Sequence, residues 1–103
     1  MKATLVAELN RLVLRVTGQL NFADNEVWRT QVESMLEKES ASYVLDITAL
    51  EMVDSAGLGM MLAMKSWAED KGRQVMLRFD PLSMVGGMIR LAKFNEMFEV
   101  DVS

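Results

Sequence analysis

The sequence predicts an α/β fold: a single mixed sheet opened by an N-terminal antiparallel hairpin and continued by right-handed strand–helix–strand crossovers. Three observations carry this. Short runs of alternating apolar residues recur along the chain, and the later ones are separated by segments apolar at helical spacing and bounded by cap signals. With 103 residues, half of them hydrophobic, and only one proline, one core is affordable, so residues 1–103 are expected to form one domain.

The elements follow in order. Ala3 to Leu9 and Leu12 to Thr17 alternate with period two, Leu12/Leu14/Val16 on one face, and read as a hairpin joined through Asn10-Arg11. Gly18 to Asn25 is a polar loop. Trp28, Val32, Met35 and Leu36 then recur at helical spacing, with Asp24 as N-cap and Glu26 in the first turn, and this helix runs to about Glu39. Tyr43 to Ile47, Gln74 to Phe79 and Met97 to Val102 are rich in strand formers. Ser55 to Lys71, closed by Gly72, and Leu82 to Phe94, opened by Pro81 and closed near Asn95, supply two more helices. The order is β-β-α-β-α-β-α-β.

Composition removes most enzyme classes. The chain has neither histidine nor cysteine, which excludes His-dependent triads, Cys–His catalysis and the usual zinc and haem ligand sets. A net charge of −4 lacks the basic footprint of a nucleic-acid or anionic-membrane binder. No apolar run approaches the roughly 20 residues of a membrane helix, and the first residues lack a signal-peptide core, so a cytoplasmic protein without membrane insertion is expected.

In an open α/β sheet, functional groups gather beyond the carboxyl ends of the strands, here Gly18 to Asn25, Thr48 to Gly59 and Asp80 to Ser83. The most informative stretch is Asp54-Ser55-Ala56-Gly57-Leu58-Gly59 at a helix start. Ser55 lies at or next to the N-cap, and the glycines weaken the first turn while permitting close approach of a backbone or a phosphate. A phosphoryl group on Ser55 would add about −1.5 to −2 charges facing the positive end of the helix dipole. Capping alone is the plainer account of Asp54 and Ser55.

Tyr43-Val44-Leu45-Asp46-Ile47 followed by Val53-Asp54-Ser55-Ala56-Gly57-Leu58-Gly59-Met60-Met61-Leu62 resembles the STAS domain of bacterial anti-sigma factor antagonists. Gly18-Gln19-Leu20-Asn21 is similar to that family's Gly-Glu-Leu-Asp loop, and Ile89 to Phe98 to its closing helix and strand, so the likeness spans nearly the whole chain. The resemblance implies a non-enzymatic regulator without cofactor or metal. It implies phosphorylation of Ser55 by a serine kinase that also acts as anti-sigma factor, reversal by a PP2C-type phosphatase, and a change of protein partner between the two states. It also places Asn21, Asp24, Asp54, Ala56 and Gly57 at the partner surface. Two departures stand out: Asn21 replaces the family's acidic residue, which Asp24 either compensates or merely follows as a helix cap, and Gln19 replaces glutamate.

The helix after Ser55 is apolar on two sides. Leu58, Met61 and Leu62 suit the core, whereas Met60, Met64 and Trp67 form a second stripe that either meets a partner or is covered by the third helix or a loop. These three join the expected partner-binding residues. Asp24, Asp46 and Asp54 are better read as caps than as a Mg²⁺ cluster, Ser83 as a helix cap, and Gly86-Gly87 as a point of close packing. A monomer is expected for the unbound chain. The alternative function is that of a constitutive STAS-like accessory subunit of a lipid-transport ABC complex.

Overall fold

The computed structural model describes residues 1–101. Its strands are β1 (Lys2–Glu8), β2 (Arg11–Leu20), β3 (Ser42–Asp46), β4 (Leu50–Val53), β5 (Val75–Arg78) and β6 (Glu99–Val100). Its helices are α1 (Asn25–Glu37), α2 (Ser55–Asp70), α3 (Met84–Leu91) and the single turn α4 (Phe94–Met97), with a 3₁₀ turn over Phe22–Asp24. The mixed six-stranded sheet has the order β1-β2-β3-β5-β6, with β4 paired to β2 off that path. Only β1 is antiparallel, in register Leu5↔Leu14 with β2; the other pairings are parallel. The hairpin turns through Leu9 and Asn10, the latter at φ +61°, where asparagine is among the few tolerated side chains.

Strand alternation divides the sheet into two unlike faces. Leu12, Tyr43 and Val75 form one register row and Leu14, Leu45 and Leu77 the next, and both rows point to the side on which the helices pack. Trp28, Val32, Met35 and Leu36 of α1, Met60, Met61 and Met64 of α2, Val85 and Ile89 of α3 and Phe94 close this core. The opposite face carries Val13 and Val44, fully buried, among ionic side chains. There Arg78 binds Asp101 through Nε at 2.8 Å and Glu8 through Nη2 at 3.0 Å, while Arg11 binds Asp101 at 2.9 Å and Arg15 lies 3.4 Å from Asp46. This network links β1, β2, β3 and β5 to the end of the described chain.

The structure corrects the sequence reading in four places. β2 continues to Leu20, so the loop expected from Gly18 begins at Asn21. Gly18, at φ +81°, marks the register irregularity where β2 leaves β3 and takes up β4. β4 itself was not expected: only its end residues Leu50 and Val53 are buried, so the four residues show no alternation to read. The last helix begins at Met84, two residues after the expected Leu82, with Ser83 as its N-cap, and it breaks into α3 and α4 at Lys93, whose φ of +62° no α-helix accommodates. The final strand is reduced to Glu99–Val100; Val102, expected to close it, and Ser103 lie outside the described residues. Gly86 fulfils the close-packing expectation, since a Cβ there would stand 1.9 Å from the Asp80 carbonyl oxygen, whereas Gly87 faces open space.

Candidate functional site

The site forms where β2 and β4 end side by side. Leu20 pairs with Val53, and the Asp54 N–H donates to the Leu20 carbonyl at 3.3 Å, so the chain leaves both strands at one point of the sheet edge. Asp54, in extended conformation, is the N-cap of α2: its Oδ1 accepts the Gly57 N–H at 2.7 Å and its carbonyl accepts the Leu58 N–H at 3.0 Å. Ser55 is therefore the first helical residue and not the cap. Its side chain is exposed, and among the described residues its hydroxyl takes part in no hydrogen bond. Ala56 is half-buried.

Gly57 fixes this geometry. A Cβ on it would lie 2.5 Å from the Leu20 oxygen and 2.6 Å from Val53 Cγ2, so the first turn of α2 rests directly on the backbone of β2. The residue is buried, and its close approach is made to the sheet; this corrects its expected place on the partner surface. Gly59 is exposed, and a Cβ on it would meet nothing within 4 Å.

The neighbouring loop is ordered by its own side chains. Asn21 Oδ1 accepts the Ala23 N–H at 2.9 Å, and Asp24 Oδ2 accepts the Asn21 N–H at 3.0 Å, a reciprocal capping box on the 3₁₀ turn. Asp24 Oδ1 also meets the Met1 ammonium at 3.1 Å. The Asn21 N–H foremost, and then that ammonium, hold the Asp24 carboxyl below its ordinary range. Asp24 occupies the N-cap position of α1 as expected, but its side chain makes no cap bond to that helix. Its charge is committed to the Asn21 turn.

The second apolar stripe of α2 does not face outward. Met60 is 6% exposed and Met64 fully buried, because α1 lies along them: Trp28 Nε1 donates to the Met60 carbonyl at 2.9 Å inside the core. Trp67 is half-buried with the Arg29 guanidinium 5.7 Å from its ring centroid. The cover is the first helix, not the third helix or a loop, and it corrects the expected partner-binding role of Met60 and Met64. Leu62, expected in the core, is instead exposed. Asp46 also lies away from this edge, on the open sheet face, where its Oδ1 accepts the Thr48 N–H at 2.9 Å and the Thr48 hydroxyl at 2.7 Å.

Sequence reasoning missed large apolar side chains left in water along the segments that leave the carboxyl ends of the strands, Phe22, Leu82 and Met84 among them. For Phe22 the available signal was its position in the loop beyond β2, where no alternation or helical stripe calls for an apolar residue; Leu82 and Met84 were hidden by the helix expected from Leu82.

A family model described as Mlab, STAS domain, matches residues 3–100. The chain belongs to this STAS-domain family. Solved structures of anti-sigma factor antagonists share its fold. The unphosphorylated form of SpoIIAA is 17% identical with a TM-score of 0.71, over 99% of this chain and 90% of that one. A putative antagonist from Thermotoga maritima is 17% identical with a TM-score of 0.78, over 95% and 84%. The Bacillus cell fate determinant SpoIIAA in its phosphorylated form is 15% identical with a TM-score of 0.68, over 99% and 93%. At these identities the likeness is one of fold. Among the described residues, no helix of this STAS domain is long and apolar enough to cross a membrane.

Proposed function

We propose that this STAS domain is a non-catalytic regulator that binds one protein partner when Ser55 is free and loses or exchanges it when Ser55 is phosphorylated. The modifying enzyme is a serine kinase of the anti-sigma factor type, and a PP2C-type phosphatase restores the free hydroxyl. The observation that carries this reading is the state of Ser55: exposed, unbonded among the described residues, and placed just inside a helix whose cap is supplied by Asp54. A serine that caps has its hydroxyl engaged, as Ser83 does with the Gly86 N–H at 2.9 Å; Ser55 is relieved of that duty. Phosphorylation there costs the fold little, and places about −1.5 to −2 charges on a surface that must lose water when a partner docks.

The test is peptide mapping of the protein from its own cells across residues 54–64, together with kinase-dependent phosphate incorporation into the wild type and Ser55→Ala. Phosphate on Ser55 that is lost in the variant is expected. Equal incorporation in both proteins would sink the assignment.

A second reading, the constitutive accessory subunit of a lipid-transport ABC complex, draws on the exposed apolar residue Leu91 at the end of α3. A purified ATPase complex that holds equally well with and without phosphate on Ser55 would favour it.

A further inference from the structure

Charge and apolar surface are sorted along this molecule in a way that specifies the chemistry of the docking partner. The segments leaving the carboxyl ends of the parallel strands, residues 18–27, 47–59 and 79–87, contain no lysine or arginine. Glu26, Glu51, Asp54 and Asp80 are all exposed there. In the same segments Phe22 is 73%, Leu82 93% and Met84 70% exposed. α3, which begins at Met84, packs beside β4, the strand that leads into Ser55. Helix dipoles account for the acids near helix starts, Glu26 and Asp54. They do not account for Glu51, which lies on a strand, or for five large apolar side chains in water, Val27 and Met52 being the other two.

Resting on the reading of Ser55 as the partner-facing residue, we propose that this edge docks a protein surface of cationic character with an apolar seat. Lysine or arginine side chains of the partner pair with Glu26, Glu51 and Asp80, and Phe22, Leu82 and Met84 fill the seat. The charge disfavours the other occupants of an exposed apolar edge. The cations at this end of the sheet are the Met1 ammonium, already held by Asp24, and Lys2 at the start of β1, so a second copy would set Glu26, Glu51 and Asp80 mainly against the same acids, and an anionic lipid surface would meet those acids too. The partner chemistry also bears on the switch. Charge alone would draw a cationic partner towards phosphorylated Ser55, so release comes from the bulk and bound water of the phosphoryl group within the docked surface.

The experiment titrates the unphosphorylated, ¹⁵N-labelled full chain with an amphipathic helical peptide of leucine and lysine, and with its leucine and glutamate counterpart, following amide shifts. The lysine peptide is expected to shift amides near residues 21–24, 54–57 and 82–85, with affinity falling about tenfold between 50 and 300 mM salt. The double variant Glu26→Lys/Glu51→Lys, its fold checked by the same spectrum, is expected to weaken that binding about fivefold or more. Met84→Ser should weaken it without changing the salt dependence. Shifts centred on Glu69 and Asp70, equal binding of the glutamate peptide, no saturable binding, or concentration-dependent shifts of the edge without peptide would each overturn the proposal. Absence of phosphate on Ser55 in cells leaves this result intact and removes only the switch; failure of the lysine peptide with Ser55 phosphorylated in cells removes only the partner's chemistry.

Discussion

Adding one methyl group at Gly57 tests whether the Ser55 turn is held by direct contact of helix and strand. The new Cβ of Gly57→Ala would stand 2.5 Å from the Leu20 carbonyl oxygen and 2.6 Å from Val53 Cγ2, where ordinary contact begins at 3.4 Å. Relief therefore requires α2 to move out by nearly an ångström. The oxygen it presses on is the acceptor of the Asp54 N–H, and Val53 is a 1% exposed residue whose β-branching restricts its χ1. Overpacking of this kind costs about 1–3 kcal/mol, against a gain of about 1 kcal/mol in helix propensity. Because one clash is with backbone, the net effect should be a loss of about 2 kcal/mol, or a midpoint lowered by roughly 8–16 °C in a chain of this size. Gly59→Ala is the control. Its methyl meets nothing within 4 Å, so propensity acts alone and stability should rise by about 0.5–1 kcal/mol. Thermal and urea unfolding of both variants decides the matter: if the two alanines shift stability in the same direction, the packing account of Gly57 is wrong.

The cap and the proposed switch residue separate in the same assay. Asp54→Ala should cost about 0.5–2 kcal/mol and Asp54→Asn much less, while Ser55→Ala should stay within about 0.5 kcal/mol of wild type, since its hydroxyl bonds nothing among the described residues. A Ser55→Ala variant as unstable as Asp54→Ala would return Ser55 to the role of cap. Met64→Ala should cost about 2–5 kcal/mol by leaving a cavity beneath α1, whereas an interface methionine would leave unfolding unchanged. The acid response follows from two depressed carboxyls, Glu8, lowered chiefly by its bond from Arg78, and Asp24, lowered chiefly by the Asn21 N–H. A folded-state value below the unfolded one contributes stability that is present above about pH 4 and lost as pH falls through the folded value. With no histidine in the chain, stability should be level from about pH 5 to 7 and fall below about pH 4; Arg78→Met should flatten the part due to Glu8. A decline that starts near pH 6 would contradict this.

The order of elements was legible because each principal strand and helix announces its own period. Leu12, Leu14 and Val16 alternate, Trp28, Val32 and Met35 do not, and the cap signals at Asp54, Gly72 and Ser83 fall where the helices begin or end. What escaped was set by pairing across the sheet. β4 has only Leu50 and Val53 buried and exists because the second half of β2 offers it a partner beyond Gly18. Likewise the open sheet face reads in sequence as scattered charges, since Glu8, Arg11, Arg78 and Asp101 are brought together only by strand order.

The same distinction explains the site. Asp54-Ser55 is a local pattern, and the structure finds its capping geometry as a local pattern should. The surface beyond it depends on which neighbour lies on which side of α2, and a helix with apolar residues on two sides gives no sign of which is covered. Trp28, reaching across from α1 to the Met60 carbonyl, settles that, and with it Met60 and Met64 pass from surface to core. What α2 then leaves in water on the side of Ser55 is small, with Gly59 and Ser66 beside the single large residue Leu62. A flat stripe of this kind offers little area of its own, so the apolar contribution to any contact made at Ser55 has to come from the adjoining loops. Phe22 and Leu82, with Met84 at the start of α3, are the side chains proposed to supply it, and each stands in a segment whose only ionised side chains are acidic.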